Sequence, residues 1–199
     1  LLFGLAKKFK RIFVVLTVVV LFVSAISIFL SIFKALYPIK YKDSVIRYCN
    51  EYQLDPYLVL SMIKAESNFK ERALSHKNAK GLMQITEKTG VWAAQKMDIE
   101  NFKVEDLYDP DTNIRIGCWY INYLEKQFEN NKNGRSEEEN TELVIASYNG
   151  GIGNVRKWVE NLEKNGYEFY EFIPFNETKK YLKRVKNNYY IYSKLYKEI

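Results

Sequence analysis

An all-α domain behind one N-terminal apolar helix is the fold class this chain predicts. Three observations carry it. Residues 12–33 read IFVVLTVVVLFVSAISIFLSIF, with no charge among them. From residue 43 onward, apolar residues recur at helical three- and four-residue steps in segment after segment. Helix-start signals (Asp55-Pro56, Thr86-Glu87, Asp109-Pro110-Asp111-Thr112, Glu177-Thr178) stand in front of the longest of those segments.

The first element is the apolar run. As a helix it spans roughly 33 Å at 1.5 Å per residue, enough to cross a bilayer core. A cleaved signal peptide has a shorter core of about 7–15 residues. Ser24, Ala25 and Ser27 leave cleavage open, but the reading is an uncleaved anchor. The preceding cluster KKFKR is expected to stay cytoplasmic by the positive-inside rule. This gives a basic N-terminus over 1–11, a transmembrane helix over 12–33, a tether over 34–42 and a domain over 43–199 on the far side. No nearby Cys is available to take a lipid.

Charge follows the same division. The formal net charge is +6, from 30 basic and 24 acidic residues. The excess is Lys7, Lys8, Lys10, Arg11, Lys34 and Lys40; the remainder balances. The basic surplus is therefore an argument about membrane, not about nucleic acid. The acidic run Ser136–Glu142 and the basic residues Lys179–Lys186 read as solvated faces. Cys49 and Cys118 lie on predicted helices, where both a disulfide and two buried thiols are open. The one histidine, His76, sits in a polar loop, and no metal-ligand spacing occurs. No metal and no cofactor are expected.

Within the domain, Asp43–Tyr52 reads as a short amphipathic helix. Asp55–Glu66 follows, with Asp55 as cap, Pro56 in the first turn and Ser67-Asn68 as the stop. Val59, Met62, Ile63 and Glu66 form its apolar stripe. Ser75–Gly81 is a polar loop with room for a small β element. A helix begins at Thr86 or Glu87 and runs to about Met97. A long helix follows residue 112, with Ile114, Cys118, Ile121, Leu124 and Phe128 in register. Residues 130–141 are polar and read as a loop. Leu143–Tyr148 is helical, 150–153 is a turn, and Asn154–Glu163 resumes the helix. The last helix runs from Glu177 to Tyr196, with Tyr181, Leu182 and Val185 on one face.

Glu66 is the residue that needs explaining, because a carboxylate at the end of an apolar stripe is costly to ionise. Two readings stand: a buried Glu satisfied by a neighbour, or a general acid kept protonated by its surroundings. Three further stretches bear on the choice. In AKGLMQIT, residues 79–86, Gly81 permits a sharp turn and Gln84 offers both a donor and an acceptor. In ASYNGGIGNV, residues 146–155, Tyr148 and Asn149 precede a glycine-rich turn. In FIPFNETKKYLKRV, residues 172–185, Glu177 opens the last helix, where a carboxylate suits the helix dipole.

In this order and spacing the chain resembles the soluble-lytic-transglycosylase family, relatives of goose-type lysozyme that cut the glycan of bacterial peptidoglycan. The matching residues are Glu66-Ser67, Gly81-Leu82-Met83-Gln84, Tyr148-Asn149-Gly150-Gly151 and Ile173-Pro174-Phe175-Asn176-Glu177-Thr178, with Tyr181 in step. Asp109-Pro110, Asn113-Ile114 and Gly117 resemble the family's long central helix. Asn78 stands where a loop glycine is frequent, Lys179 where Arg is usual, and Gly150 where many members have Ala.

The resemblance implies a lysozyme-like helical domain. Its groove would lie between the Glu66 helix and the segments holding Gln84 and Tyr148. It implies Glu66 as the catalytic acid and then base, with a 1,6-anhydro sugar as product. Ser75, Gln84 and Asn149 would bind sugar or acetamido groups, and Met83 would shape the groove. Tyr148 would face the reacting centre, and Glu177 would orient the acetamido group. Some of the sixteen tyrosines would line a carbohydrate groove, though composition does not say which. The implied partners are glycan strands, the membrane through residues 12–33, and cell-envelope machinery. Two rivals remain. One is a lysozyme-type hydrolase using Glu71 or Glu177 as second acid. The other is a glycan-binding scaffold that keeps the site without the chemistry.

Overall fold

The computed structural model describes residues 2–129, 135–165, 169–197 and 199. It divides into two compact units, the first ending at Pro38 and the second running Ile39–Ile199.

The first unit is α1, Leu2–Leu36. From Lys8 to Leu36 it is long and apolar enough to cross a membrane. Its polar side chains are accommodated within the helix. Thr17, Ser27 and Ser31 each donate a hydroxyl to the carbonyl four residues back, so those donors need no partner from the surroundings.

The second unit is helical. Its elements are α2 (Lys42–Tyr52), α3 (Pro56–Ser67), α4 (Glu87–Lys96), a 3-10 turn (Val104–Tyr108), α5 (Pro110–Glu129), α6 (Glu137–Gly150), α7 (Ile152–Asn165), α8 (Phe169–Phe172) and α9 (Asn176–Leu195). No strand forms among the described residues. The β element expected near Ser75–Gly81 reduces to two isolated bridges, from Lys80 to Leu74 and to Ile85.

α3 starts as its sequence dictates. Asp55 Oδ1 accepts the Tyr57 N–H at 2.7 Å, and Pro56 takes the first turn. Its surroundings differ from the single stripe expected. Every residue from Leu58 to Ile63 is buried, Ser61 included. A helix covered all round is the central helix of its domain. α9 packs along it antiparallel: Tyr189 bonds Asp55 near one end, Asn188 Nδ2 donates to the Ser61 carbonyl at 3.1 Å, and Tyr181 faces Glu66 at the other.

α5 forms the other wall, packed against α2 and α6. At its start Asp111 accepts from Ser44 (2.6 Å) and Tyr48 (2.5 Å) of α2. Burial works against the Asp111 charge. The two hydroxyls and the Arg47 and Arg115 cations outweigh it and lower the pKa. Further along, Cys49 and Cys118 meet as free buried thiols.

Two boundaries moved. α6 begins at Glu137, inside the polar stretch read as loop, because Ser136 and Glu139 cap each other reciprocally. Residues 130–134 of that stretch lie outside the described residues. The turn expected over 150–153 contracts to Gly151, whose φ of 83° ends α6 and lets α7 begin at Ile152.

Candidate active site

Glu66 occupies the last turn of α3, one residue before its end. Asn68 then takes left-handed geometry and caps the helix, its N–H bonding the Lys64 carbonyl. Burial raises the Glu66 pKa from 4.5 to about 7. The Tyr181 hydroxyl and the Arg184 cation pull it back, and the like charge of Glu177 pushes it up. A carboxylate at the negative end of a helix is disfavoured too, which acts in the same direction as burial. The side chain keeps partial exposure, so its proton can be exchanged with a bound molecule.

Two phenols stand against this carboxyl. Burial, and after it the Glu66 charge, hold both Tyr148 and Tyr181 well above the ordinary phenol pKa. The Tyr148 hydroxyl donates to the Met83 carbonyl at 2.9 Å, which ties α6 to the 79–86 loop. The Tyr181 hydroxyl is fully buried and has no hydrogen bond of normal geometry. It nonetheless lowers the Glu66 pKa, so the two groups face each other. An unpartnered buried hydroxyl facing the acid is free to donate as soon as the carboxyl ionises.

The loop that carries Gln84 is held from α5. Asn113, fully buried, accepts the Met83 N–H at 2.7 Å through Oδ1. Its Nδ2 donates to the Lys80 carbonyl (3.0 Å) and the Leu107 carbonyl (2.7 Å). Gly81 lies against this clamp with φ +77°, and a Cβ there would stand 2.2 Å from the Leu107 oxygen. Only glycine fits. Gly117 plays a matching part on α5, where a Cβ would stand 2.2 Å from Met83 Sδ. Gln84 itself adopts φ 50°, a costly geometry for a residue with a Cβ. Its Nε2 donates to Ala73 (3.1 Å) and Gly81 (2.8 Å), which leaves Oε1 as the acceptor.

The remaining residues named from sequence take varied positions. Ser75 Oγ accepts the N–H groups of Lys77 and Ala79, so it shapes the loop. Asn149 Oδ1 accepts from Thr178 at 2.9 Å, joining the end of α6 to α9. Glu177 lies in the first turn of α9, is exposed, and pairs with Lys77 at 2.9 Å. Met83 has no exposed surface and packs beneath the loop against Gly117, so any part it has in shaping a groove is through the loop it supports. Glu71, named as a second acid, accepts from Tyr41 at 2.5 Å on the surface. Tyr181, Arg184 and Asn113 were in the quoted motifs or helices but had no role assigned from sequence.

Other features are weaker candidates. Surface depressions of about 580 and 610 Å³ lie around Glu138, Glu142 and Lys186 and contain none of these residues. Glu125, in the larger, is also raised to about 7, by burial and then by Glu129. Its surroundings are mostly acidic. No group of three metal-ligating side chains occurs among the described residues.

Residues 43–170 match the family described as Transglycosylase SLT domain. This chain belongs to that family. The soluble lytic murein transglycosylase of Escherichia coli K12 is 33% identical over 152 residues, covering 75% of this chain and 22% of that protein. Membrane-bound lytic murein transglycosylase E of Buchnera aphidicola is 32% identical over 112 residues, covering 55% and 50%. Among solved structures, the 70-kDa soluble lytic transglycosylase of E. coli superposes with a TM-score of 0.71 at 30% identity, covering 81% of this chain and 25% of that one. A complex of the 70-kDa soluble lytic transglycosylase with bulgecin A superposes with a TM-score of 0.72 at 30% identity, covering 81% of this chain and 25% of that one. The all-α SLT fold is thus shared, and the chain spans about a quarter of the length of its soluble relatives.

Proposed function

We propose that this chain is a membrane-anchored peptidoglycan lytic transglycosylase. It cleaves the β-1,4 bond between N-acetylmuramic acid and N-acetylglucosamine and leaves 1,6-anhydro-N-acetylmuramic ends. The observation that carries this reading is the buried carboxyl of Glu66, its pKa raised by burial to about 7, with the Tyr148 and Tyr181 phenols in its field. The names of the relatives support the substrate class.

The proposed reaction balances on one residue. The Glu66 carboxyl gives its proton to the bridging oxygen, and the bond from that oxygen to C1 breaks. The acetamido carbonyl of the same sugar stabilises the cation forming at C1. The C6 hydroxyl oxygen then bonds to C1, and its proton passes to the Glu66 carboxylate. The acid is regenerated and no water is consumed. A pKa near working pH suits a group that must both give and take the proton. In this reading Tyr181 donates to the transient carboxylate, Gln84 Oε1 accepts from the sugar, and Glu177 accepts the acetamido N–H after releasing Lys77. The buried Tyr181 hydroxyl, the two donors of Gln84 Nε2 and the Lys77 pair are consistent with these roles. The helix α1 would hold the protein in the membrane, with Lys7–Arg11 on the cytoplasmic side.

The test is digestion of purified peptidoglycan by the full chain in detergent micelles, with mass spectrometry of the soluble fragments. Anhydro ends are expected, and none with Glu66→Gln. Reducing ends in their place mean that water is the acceptor, and the hydrolase reading replaces this one.

A further inference from the structure

Five aromatic rings form a continuous strip that begins at the candidate active site and runs away from it. Tyr148, beside Glu66, lies 5.4 Å from the Tyr120 ring centroid. Tyr120 lies 6.2 Å from both Tyr123 and Trp92. Trp92 stands edge-on to Trp119 at 5.0 Å and to Tyr123 at 4.9 Å. Trp119 and Tyr123 are stacked at 5.8 Å. Four of these rings come from α4 and α5, and none is fully buried.

The polar atoms of the strip separate packing from binding. Tyr148 spends its hydroxyl on Met83. The indole N–H groups of Trp92 and Trp119 and the hydroxyl of Tyr123 make no hydrogen bond among the described residues and none is fully buried, whereas burial raises the pKa of the Tyr120 phenol. The outer strip therefore offers ring surface together with three polar groups that have no partner among the described residues. An apolar protein partner would bury those groups unpaired, at a cost. A sugar does not. Its C–H face lies on the electron-rich ring face, and its hydroxyls meet the N–H and O–H groups at the ring edges. Beyond Trp92 the surface continues as an open, largely apolar depression of about 490 Å³ lined by Glu87, Lys88, Val91, Trp92 and Gln95.

We propose that Trp92, Trp119 and Tyr123 form a distal glycan-binding platform. It holds sugars of the same strand remote from the bond cleaved at Glu66, so that the protein favours long strands over short ones. The inference rests on the glycan reading of the site, and the continuity of the strip with Tyr148 is what favours a glycan over a lipid surface.

The test compares full-length chain in detergent micelles with its Trp92→Ala and Trp119→Ala variants. The substrates are peptide-free glycan strands sorted by length. On long strands each substitution is expected to raise KM roughly three- to tenfold, the size of one lost aromatic contact, with kcat unchanged. On the shortest strand still cleaved, the effect vanishes. Trp92→Phe and Trp119→Phe, which keep a ring, hold KM near the starting value. In the Glu66→Gln chain, long strands are expected to change tryptophan fluorescence, and the change is lost when both tryptophans are replaced by Phe. That binding readout needs no turnover, so it stands apart from the chemistry assigned to Glu66. Equal losses on strands of every length would make the cluster purely structural and overturn the proposal. So would unchanged KM and fluorescence. Loss of binding to anionic phospholipid vesicles with intact glycan kinetics would reassign the strip to the membrane.

Discussion

At the scale of single residues, the site turns on what surrounds one carboxyl. The sign of the pH effect follows from the shift. Unfolded, Glu66 ionises near its ordinary value; folded, it keeps its proton to about 7. The folded state therefore binds more protons between those values. The contribution to stability is fully present below the unfolded pKa and lost as pH rises through the folded one. Glu66→Gln is expected to raise Tm at pH 8 and to have little effect at pH 4, as read by thermal unfolding in detergent. Each kcal/mol recovered moves Tm by about 2–4 °C in a domain of this size. Tyr181→Phe tests the neighbouring phenol. Its hydroxyl lowers the Glu66 pKa and has no conventional partner to lose. The variant is expected to keep its Tm and to shift the alkaline limb of the pH–rate profile upward. A downward shift would show that the hydroxyl does not act on the carboxyl in this way.

Between elements, the polar clamp on the 79–86 loop is the device that positions Gln84 and the Met83 carbonyl. Asn113 makes three hydrogen bonds across it, two of them fully buried. Asn113→Ala leaves the Met83 N–H and the Leu107 carbonyl without partners, while the Lys80 carbonyl keeps the Ile85 N–H. The expected loss is about 3 kcal/mol, because each buried orphan costs about 1–3 kcal/mol and part of that relaxes. Urea unfolding gives the stability. Glycan cleavage measured below the transition should fall further than the unfolded fraction explains, since the loop loses its register. A loss of stability with full specific activity would mean that the clamp supports the core alone.

At the scale of the whole molecule, the apolar helix and the SLT domain make separate claims. α1 carries no acid and packs no residue of its apolar window. The full chain expressed in a bacterial host should stay with membranes through alkaline carbonate extraction. In spheroplasts its domain should be open to added protease, with the Lys7–Arg11 end protected. Release by carbonate would exclude a spanning helix.

Much of this molecule was legible in its sequence because the signals are local. Asp55-Pro56 and Thr86 cap the helices they precede, and the apolar run has the length of a membrane span. The stripe that ends at Glu66 marked a carboxyl in apolar surroundings. Ser136 and Glu139 were equally local, and their capping box went unread beneath the polarity of the stretch. What surrounds the carboxyl was decided by long-range contact. A tyrosine on the inner face of a helix looks the same whether its hydroxyl is solvated or aimed at an acid, and only the antiparallel seating of α9 on α3 put Tyr181 and Arg184 at Glu66. The same holds for Met83, whose motif position hides that its side chain fills the space above Gly117. It holds too for the join between Trp92 of α4 and the rings of α5, which exists only when those helices pack. Sequence marked the carboxyl that is the candidate proton donor, because caps and periodicity act within a few residues. Tertiary structure decided how that proton is held and what lies beside it, because burial and charge act between segments far apart in the chain.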